Sequence, residues 1–324
     1  MSEASNGQAL DASIVITTCR RPAMLSELLE ALHPQIQGRA AEIVVVDNCP
    51  DASALPVAKR FADSKLRYAH EARSGVVFAR NRGIAETRGA YVIFLDDDEV
   101  PVAGWLDAWL AQAHGRTDAS FGRILPRLLG QCPPEFAKQV ERNFSREMRR
   151  PTGSDISDLS AYLGTGNAMF HKARCLGQAE PFDLRFNARG GEDVWLIRGL
   201  VKQGCRLSWN HEALVEELVP EDRMTLSSLK LRRFNQGQLR CILMFGNGSL
   251  AGVLRVAIWM VVGMVQFFGF SVAAWLAHVV VPSKAPDFRC RASGGAGKLL
   301  WWRQPQTSGY GSSEPALSAA ASPL

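Results

Sequence analysis

The chain has 324 residues, 47% of them hydrophobic, which is enough for one large domain or two ordinary ones with a substantial core. A net charge of +5 and an 8% aromatic share are too mild to indicate nucleic-acid binding, so we expect no nucleic-acid partner. Seven scattered cysteines without a C-x-x-C pair argue against a disulfide framework and a zinc site, and they favour a reducing cytoplasm. Residues 1–11 lack a basic start followed by an apolar run, so we predict a disordered N-terminus and no secretory signal.

The chain opens with short β-branched runs that alternate with helical patterns. Such alternation is typical of an α/β domain with a largely parallel sheet. Because parallel strands expose their carboxyl ends along one edge, we expect the polar residues that follow these strands to converge there. The predicted strands are Ser13–Thr17, Glu42–Val46, Lys65–Ala69 and a run from Tyr91, and the predicted helices begin at Pro22 and cover Leu55–Phe61 and Val76–Thr87.

The stretch Tyr91–Glu99 joins an apolar strand to three consecutive aspartates, Asp96, Asp97 and Asp98. Adjacent carboxylates repel one another and are costly to desolvate, so the cluster favours a divalent metal site with oxygen ligands. The alternative is a solvated turn in which Asp97 and Asp98 cap a helix.

The middle of the chain predicts a helix over Trp105–His114 and a strand over Ser120–Leu125. Cys132–Asp158 is polar and rich in proline and arginine, and we interpret it as a surface excursion of mixed helix and loop. Gly164-Thr165-Gly166-Asn167 then precedes the apolar run Ala168–Phe170. Its glycines would let the backbone approach a ligand closely, although a plain turn explains them equally well.

A second acidic group, Gly190-Gly191-Glu192-Asp193, opens a helix that runs to Lys202. Carboxylates in a first helical turn are also ordinary capping groups, which by itself is the preferred interpretation. A metal site together with a separate carboxylate on a glycine-flanked turn is what a transferase needs, because one group holds a leaving phosphate and the other removes a proton from a hydroxyl.

The sequence contains neither G-x-G-x-x-G after the first strand nor a P-loop motif, so phosphates would be held by other groups. Arginines are the available donors, although each one taken singly is better explained as part of a solvated surface. The donors are Arg20, Arg21, Arg73, Arg80 and Arg82. Further strands are predicted over Arg206–Trp209 and Ala213–Leu218, followed by a basic helix over Met224–Phe245.

Val256–Val281 carries no Asp, Glu, Lys or Arg, and as a helix it would be about 39 Å long, enough for a tilted membrane crossing. We predict a membrane-associated segment over residues 250–282, and the alternative is a buried or interfacial helical hairpin interrupted at Gly263 and Gly269. The tail over residues 283–324 is rich in Ser, Gly, Ala and Pro, so we predict that it is flexible apart from Leu299–Trp302.

Several blocks together resemble the family-2 glycosyltransferases of the GT-A fold, in order and in spacing. Their resemblance covers the chain from about Ser13 to Arg240, and within the family Glu212–Val215 leading into Val219–Arg223 is similar to bacterial succinoglycan-type exopolysaccharide glucosyltransferases. The blocks are Ile14–Thr18, Val44–Asn48, Ala79–Gly83, Phe94–Asp98, Gly164–Asn167 and Gly191–Asp193.

The resemblance implies an α/β GT-A domain over residues 12–245 and a role for individual residues. Thr17 and Asp47 would hold the base and ribose, Asp96 and Asp98 would position the nucleotide and bind Mg²⁺ or Mn²⁺, and Asp193 would be the general base of an inverting transfer. Asp97 would face away and tolerate replacement. The remaining expected substrate-binding residues are Thr18, Arg20, Arg80, Asn81, Gly166, Asn167, Glu192 and Arg223.

Two departures from the family pattern narrow the expected activity. Glu217 stands near the place where many relatives have a histidine, and His211 lies earlier, so neither is assigned. The processive synthases' Q-x-x-R-W is absent, since Leu231–Phe234 is only a partial echo, so we expect single-sugar transfer.

We therefore expect a metal-dependent transferase that uses a nucleotide sugar, such as a UDP-sugar, and a lipid-linked or saccharide acceptor. It would lie at the bacterial inner membrane with its catalytic domain in the cytoplasm. A non-catalytic membrane-anchored scaffold of the same fold is the alternative, and a nucleotidyltransferase would require a glycine-rich phosphate loop that is missing. The sequence does not name the sugar, the acceptor or the oligomeric state.

Overall fold

The computed structural model describes residues 10–115, 117–187, 190–246 and 248–303. Most of the predicted disordered N-terminus and the end of the predicted tail, residues 304–324, lie outside these ranges. The described residues contain one eight-stranded sheet. Its strands are β1 (Ala12–Thr18), β2 (Ala41–Asp47), β3 (Leu66–His70), β4 (Tyr91–Asp96), β5 (Glu99–Pro101), β6 (Ala119–Leu129), β7 (Ala168–His171) and β8 (Leu207–Pro220).

Helices cover both faces of this sheet and extend beyond it at the C-terminal end. The helices are α1 (Pro22–Ile36), α2 (Leu55–Arg60), α3 (Val76–Glu86), α4 (Trp105–His114), α5 (Pro134–Phe144), α6 (Lys172–Cys175), α7 (Glu192–Lys202), α8 (Leu226–Phe245), α9 (Leu250–Val280) and α10 (Ala285–Leu299).

The strand order is β3-β2-β1-β4-β7-β6-β8-β5. β1 pairs in parallel with β2 and β4, and β2 pairs in parallel with β3. β7 is antiparallel to both of its neighbours, and β6 and β8 are parallel again. The parallel half confirms the expected α/β architecture, and the carboxyl ends of β1 and β4 lie side by side because Thr17 pairs with Asp96 in register.

Alternating apolar residues of the strands form a core on each face of the sheet, as a strand period of two requires. Ile14 and Ile16 pack with α1 and α4 on one face, whereas Val15 packs with α3 on the other. All seven cysteines are free, and all but the half-buried Cys132 are buried.

The predicted boundaries deviate most in the second half of the chain. The two short strands expected over Arg206–Trp209 and Ala213–Leu218 form one long strand, β8, with a register shift opposite Gly122/Arg123. The expected surface excursion contains α5 and then returns to the sheet, where Arg146 forms a backbone bridge with Ile124.

The prediction of a flexible tail from residue 283 is wrong for Ala285–Leu299, which form α10 and pack against α8 and α9. Its glycines permit backbones to approach closely: a Cβ at Gly297 would lie 2.0 Å from the carbonyl oxygen of Phe234, and one at Gly295 would lie 2.7 Å from that of Gly263. The close contact between helices therefore requires glycine at Gly295 and Gly297, and the abundance of glycine in this segment does not indicate flexibility.

Candidate functional site

A cavity of about 2040 Å³ opens at the carboxyl edge of the sheet. One end is formed by Thr17, the aspartates that follow β4, the Gly164–Gly166 loop and Asp193. The other end reaches α8, α9 and α10, where basic and aromatic side chains line the wall. These are Arg232, Arg233, Arg240, Trp259, Phe270, Arg291 and Lys298.

Asp96 at the end of β4 and the two aspartates that follow it, Asp97 and Asp98, contact different partners. Asp96 is the most open, with 41% of its side chain exposed, and its Oδ1 lies 3.6 Å from a guanidinium nitrogen of Arg80. Asp98 Oδ2 accepts from Arg21 at 3.3 Å and from Arg223 at 2.9 Å. Partial desolvation at the cavity wall raises the pKa of Asp96, an effect that Arg80 opposes and that the charges of Asp98 and Asp193 reinforce.

The prediction that Asp97 faces away from the site is wrong. Its side chain accepts from Thr18 Oγ1 and from Arg21, each at 2.9 Å, and the residue is buried. Burial raises the pKa of Asp97 to about 6, while Arg21 acts in the opposite direction. The chain turns immediately after β4, so the period-two alternation of an extended strand no longer applies at this position. Asp97 therefore couples the exit loop of β1 to that of β4.

Asp193 lies in the first turn of α7, behind Gly191, whose φ of +94° turns the chain into the helix. Its Oδ1 accepts from the backbone N–H of Val194 at 2.7 Å, and its Oδ2 would lie 3.1 Å from a Cβ at Gly164. Burial and the neighbouring Glu192 raise the pKa of Asp193 to about 6, whereas Arg80 lowers it. Its carboxylate is thus placed on the cavity wall with a proton affinity suited to a base near neutral pH.

The Gly164–Asn167 loop separates Asp193 from Asp96. A Cβ at Gly166 would lie 2.7 Å from Asp96 Oδ2 and 2.6 Å from Glu99 Oε1, so a larger residue there would require both carboxylates to shift. Asn167 has a φ of +43° and accepts from Trp105 Nε1 while donating to the carbonyls of Arg123 and Ala213. Of this pair, Gly166 borders the cavity, whereas Asn167 is fully buried and anchors the loop.

Arg146 supports this loop and was missed by sequence reasoning. Its guanidinium donates to the carbonyl oxygens of Gly122, Gly164, Gly166 and Asn167 at 2.7–3.1 Å. Burial lowers the pKa of Arg146 to about 10, against the opposing charges of Glu99 and Asp96. The residue lies in the polar stretch interpreted as a surface excursion, and no local pattern in the sequence distinguishes it from the other arginines there.

Arg80 and Asn81 on α3 connect this helix to neighbouring segments of the site. Arg80 donates to Glu192 Oε1 at 2.5 Å and thereby joins α3 to the first turn of α7. Asn81 exchanges two hydrogen bonds with the backbone of Phe182, at 2.8 and 3.0 Å, so its amide is used inside the protein. Arg80 lines the cavity, whereas Asn81 and Glu192 lie behind it.

The structure distinguishes Glu217 from His211. Glu217 pairs with Glu99 across β8 and β5 and lines the cavity, and burial together with Asp98 raises its pKa to about 8. His211 lies away from the cavity, 3.9 Å from Glu147. Glu217 is therefore the residue of the two that belongs to the site.

Six of the predicted substrate contacts lie outside the cavity lining, namely Thr18, Arg20, Asp47, Asn81, Asn167 and Glu192. Asp47 is fully buried, and its carboxylate accepts from the backbone N–H groups of Cys49 and Ala54 and from Tyr68 Oη. Arg20 is exposed with a φ of +57°, and the neighbouring Arg21 is the one that reaches the aspartates. Their substrate roles remain predictions.

The oxygen donors present fit a divalent cation of the magnesium or manganese type. Asp96 and Asp98 both line the cavity and offer hard carboxylate ligands. Among the described residues no group of three or more His, Cys, Asp or Glu side chains is placed to hold a metal ion alone. The arrangement therefore suits a cation that takes its other ligands from a bound diphosphate and from water.

Comparison with known proteins defines the class to which this site belongs. Residues 13–171 match the family model of glycosyl transferase family 2. A mannosyltransferase, PcManGT from Pyrobaculum calidifontis, in complex with GDP-Man and Mn²⁺, superposes with a TM-score of 0.59 at 16% identity, over 91% of this chain and 88% of that one. S. aureus TarS 1-349 in complex with UDP gives a TM-score of 0.52 at 15% identity, over 90% of each chain. The chain thus contains a family 2 glycosyltransferase domain with a GT-A fold, and the protein is a glycosyltransferase.

Two glycosyltransferase-related proteins are similar to this chain in sequence. The succinoglycan biosynthesis protein ExoM of Rhizobium meliloti (strain 1021) is 27% identical over 235 residues, which cover 71% of this chain and 74% of ExoM. The pre-mycofactocin glycosyltransferase of Mycobacterium tuberculosis (strain CDC 1551 / Oshkosh) is 28% identical over 210 residues, 63% of this chain but only 42% of that protein.

Proposed function

We propose that this glycosyltransferase is an inverting, metal-dependent enzyme that moves one sugar from a nucleotide sugar, such as a UDP-sugar, to a lipid-linked or saccharide acceptor in cell-surface polysaccharide synthesis. The observation that carries the proposal is that Asp193 and the Asp96–Asp98 cluster line one cavity, on opposite sides of the Gly164–Gly166 loop. The Asp96 and Asp98 carboxylates can therefore hold the leaving diphosphate through a metal ion, while the separate carboxylate of Asp193 takes the proton of the acceptor hydroxyl. The similarity to ExoM supports the polysaccharide context.

Asp193 is the general base in this proposal. An acceptor hydroxyl oxygen forms a bond to the anomeric carbon while its proton passes to the Asp193 carboxylate. The bond from the anomeric carbon to the donor phosphate oxygen breaks, and the nucleoside diphosphate departs with the electron pair. Attack opposite the leaving group inverts the anomeric centre. A glycosidase needs a second carboxylate to protonate its leaving group, whereas a nucleoside diphosphate departs without a general acid, so one carboxylate suffices here.

Asp96 and Asp98 would hold Mg²⁺ or Mn²⁺ on the donor diphosphate. When bound, such a cation neutralises charge that develops on the departing diphosphate. Arg21 and Arg223 already contact Asp98 and lie on the same cavity wall, where they keep the carboxylate in place and contribute positive charge toward the donor phosphates.

We further propose that the enzyme works at the inner face of the bacterial inner membrane, with the catalytic domain in the cytoplasm. Among the described residues, α9 is the one helix long and apolar enough to cross a membrane. The far end of the cavity reaches Trp259 and Phe270 of this helix. A lipid-linked acceptor is supported because the cavity leads from the membrane-associated segment to Asp193.

The proposal is tested by screening nucleotide sugars by thermal shift with and without Mn²⁺, followed by transfer assays with the hits. A bound donor raises the melting temperature of the native state. We expect a Mn²⁺-dependent shift with at least one nucleotide sugar, loss of that shift in Asp98→Ala, and a product of inverted anomeric configuration by NMR. Retained configuration would exclude the mechanism, and absence of binding to any nucleotide sugar would favour the non-catalytic scaffold.

A further inference from the structure

Helix α9 presents a continuous apolar stripe that no described residue covers. The stripe is exposed along the whole helix, where Val265 is 68%, Trp275 69% and Val279 74% accessible. It consists of Leu250, Val253, Leu254, Ile258, Val261, Met264, Val265, Phe268, Val272, Trp275, Leu276, Val279 and Val280. An apolar surface of this length marks an interaction surface.

The opposite side of α9 is packed against a charged helix. α10 runs beside the second half of α9: Lys298 Nζ donates to Gln266 Oε1 at 2.9 Å, and the guanidinium of Arg291 lies 5.6 Å from the ring of Phe270. If α9 crossed a bilayer, these cations would be carried into its hydrocarbon region, which is costly. A helix that is apolar on one side and paired with charges on the other suits the plane of a membrane interface.

A separate groove of about 480 Å³ lies between α8, α9 and α10, next to this stripe. Its apolar wall is formed by Phe267, Ala274 and Trp275, and Trp275 also belongs to the exposed stripe. Its polar side is formed by Lys230 of α8 and Arg289 of α10, with His278 at the end of α9. The groove therefore combines an apolar wall continuous with the stripe and a cationic side.

Within the part of the chain that the structure describes, the two cations of this groove, Lys230 and Arg289, have no anionic partner. Among the described residues, no hydrogen bond or ion pair engages the ammonium group of Lys230 or the guanidinium group of Arg289, and none of the groove's described lining residues is a carboxylate. By contrast, Arg291 on the next part of α10 pairs with Asp287 at 2.7 Å. An anion is the complement of the groove's charge, and an apolar chain is the complement of its wall.

The groove lies on the other face of the α9–α10 pair from the catalytic cavity. Arg289, Ala292, Ser293 and Ala296 of α10 face the groove, whereas Cys290, Arg291, Gly294 and Lys298 face the cavity. A molecule in the groove is therefore separated from Asp193 by the two helices, and it is not positioned to act as the acceptor.

We propose that α8, α9 and α10 lie flat on an anionic membrane, with the exposed stripe of α9 in the lipid interface and the phosphate of an anionic phospholipid in the groove between Lys230 and Arg289. This inference rests on the membrane placement in the proposed function and is independent of the transfer chemistry. A phosphate bound in the groove fixes the orientation of the domain on the membrane.

The test is flotation of the full-length protein with phosphatidylcholine vesicles, alone or mixed with phosphatidylglycerol. We expect Lys230→Gln/Arg289→Gln to weaken binding to the mixed vesicles by about fivefold for each cation removed, and to leave binding to pure phosphatidylcholine unchanged. Nucleotide-sugar binding with Mn²⁺, measured by thermal shift on the same sample, should remain as in the wild type. A loss of donor binding in the wild type itself would instead contradict the proposed function.

The matched control is Lys59→Gln/Lys202→Gln, which removes two exposed lysines from α2 and α7. It should float like the wild type. Equal losses of vesicle binding in both double variants would show that binding depends on overall charge alone, which would overturn the proposal. Wild-type flotation of the groove variant would also overturn it. Displacement of the protein from mixed vesicles by inorganic phosphate would identify a free-phosphate site in place of a lipid site.

Orientation is tested with cysteines at the two ends of α9, in Ala251→Cys and Ser283→Cys. In sealed inverted inner-membrane vesicles, a membrane-impermeant maleimide should label both positions, because a helix in the membrane plane keeps both ends on the cytoplasmic side. The wild type measures the background from the native cysteines, which are buried except for the half-buried Cys132. Labelling at only one end would show a crossing and contradict the proposal.

Discussion

The carboxyl edge of the sheet and the α8–α10 unit are held together by different physical means. At the sheet edge, carboxylates and arginines are interleaved, and Asp97, Asp98 and Arg146 each bond to groups from distant parts of the chain. In α8–α10, glycines bring backbones together, and basic side chains face the cavity and the groove while the exposed stripe of α9 is apolar. The first region is therefore sensitive to the loss of a polar partner, and the second to the addition of a single carbon atom.

Arg146→Met should give the largest effect of the variants that test this contrast. It removes a donor from four carbonyl oxygens, of which that of Asn167 keeps the backbone N–H of Gly122. Each group left unsatisfied costs about 1–3 kcal/mol, so we expect the free energy of unfolding to fall by at least about 3 kcal/mol. Denaturant unfolding measures the change. Arg206→Met is the control, since Arg206 is 76% exposed and its ion pair with Asp155 should contribute about 1 kcal/mol or less. Similar losses in both variants would contradict the supporting role of Arg146.

Gly297→Ala tests the α8–α10 unit by adding a carbon atom instead of removing a polar group. The new methyl group would lie 2.0 Å from the carbonyl oxygen of Phe234, so we expect overpacking to cost about 1–3 kcal/mol and to expose α10 to limited proteolysis. Gly269→Ala is the matched control on α9, because nothing lies within 4 Å of its Cβ position, and there helix propensity should stabilise by about 0.5–1 kcal/mol. Equal protease resistance of the two variants would show that α10 is not packed closely.

These two regions also differ in how far their sequences predict them. Continuous apolar runs predicted β1, β2 and β4, and their polar endings predicted that Thr17 and Asp96 would lie close together, because parallel strands share an edge. Arg146 could not be predicted, since its role depends on carbonyl groups that only the folded loop brings together. The glycines of α10 predicted flexibility by composition, because the close approach that requires them is a tertiary contact.

Asp97→Ala tests the residue on which local alternation failed. Removing its carboxylate breaks the bonds to Thr18 and Arg21, so we expect a loss of about 1–3 kcal/mol in the free energy of unfolding. A comparable substitution of an exposed acid, Asp51→Ala, should change stability by less than about 0.5 kcal/mol. Tolerance of Asp97→Ala would restore the sequence-based expectation that this side chain faces away.

The pH dependence of transfer should give the smallest of these effects. With the pKa of Asp193 raised to about 6, the base is ionised above that pH and protonated below it, so kcat/KM should rise with pH and reach a plateau above about 7. At pH 5 we expect a rate about tenfold below the plateau. A profile that stays flat between pH 5 and 7 would argue against Asp193 as the titrating base.

The most direct test of the account compares donor binding and sugar transfer in Asp193→Asn. Asparagine keeps the size of the side chain and removes its capacity to take a proton. We predict that the affinity for the nucleotide sugar with Mn²⁺ stays at the wild-type value, while the single-turnover transfer rate falls by about 10²–10⁴-fold. Transfer at the wild-type rate would remove Asp193 from the mechanism and with it the division between the group that holds the donor and the group that activates the acceptor.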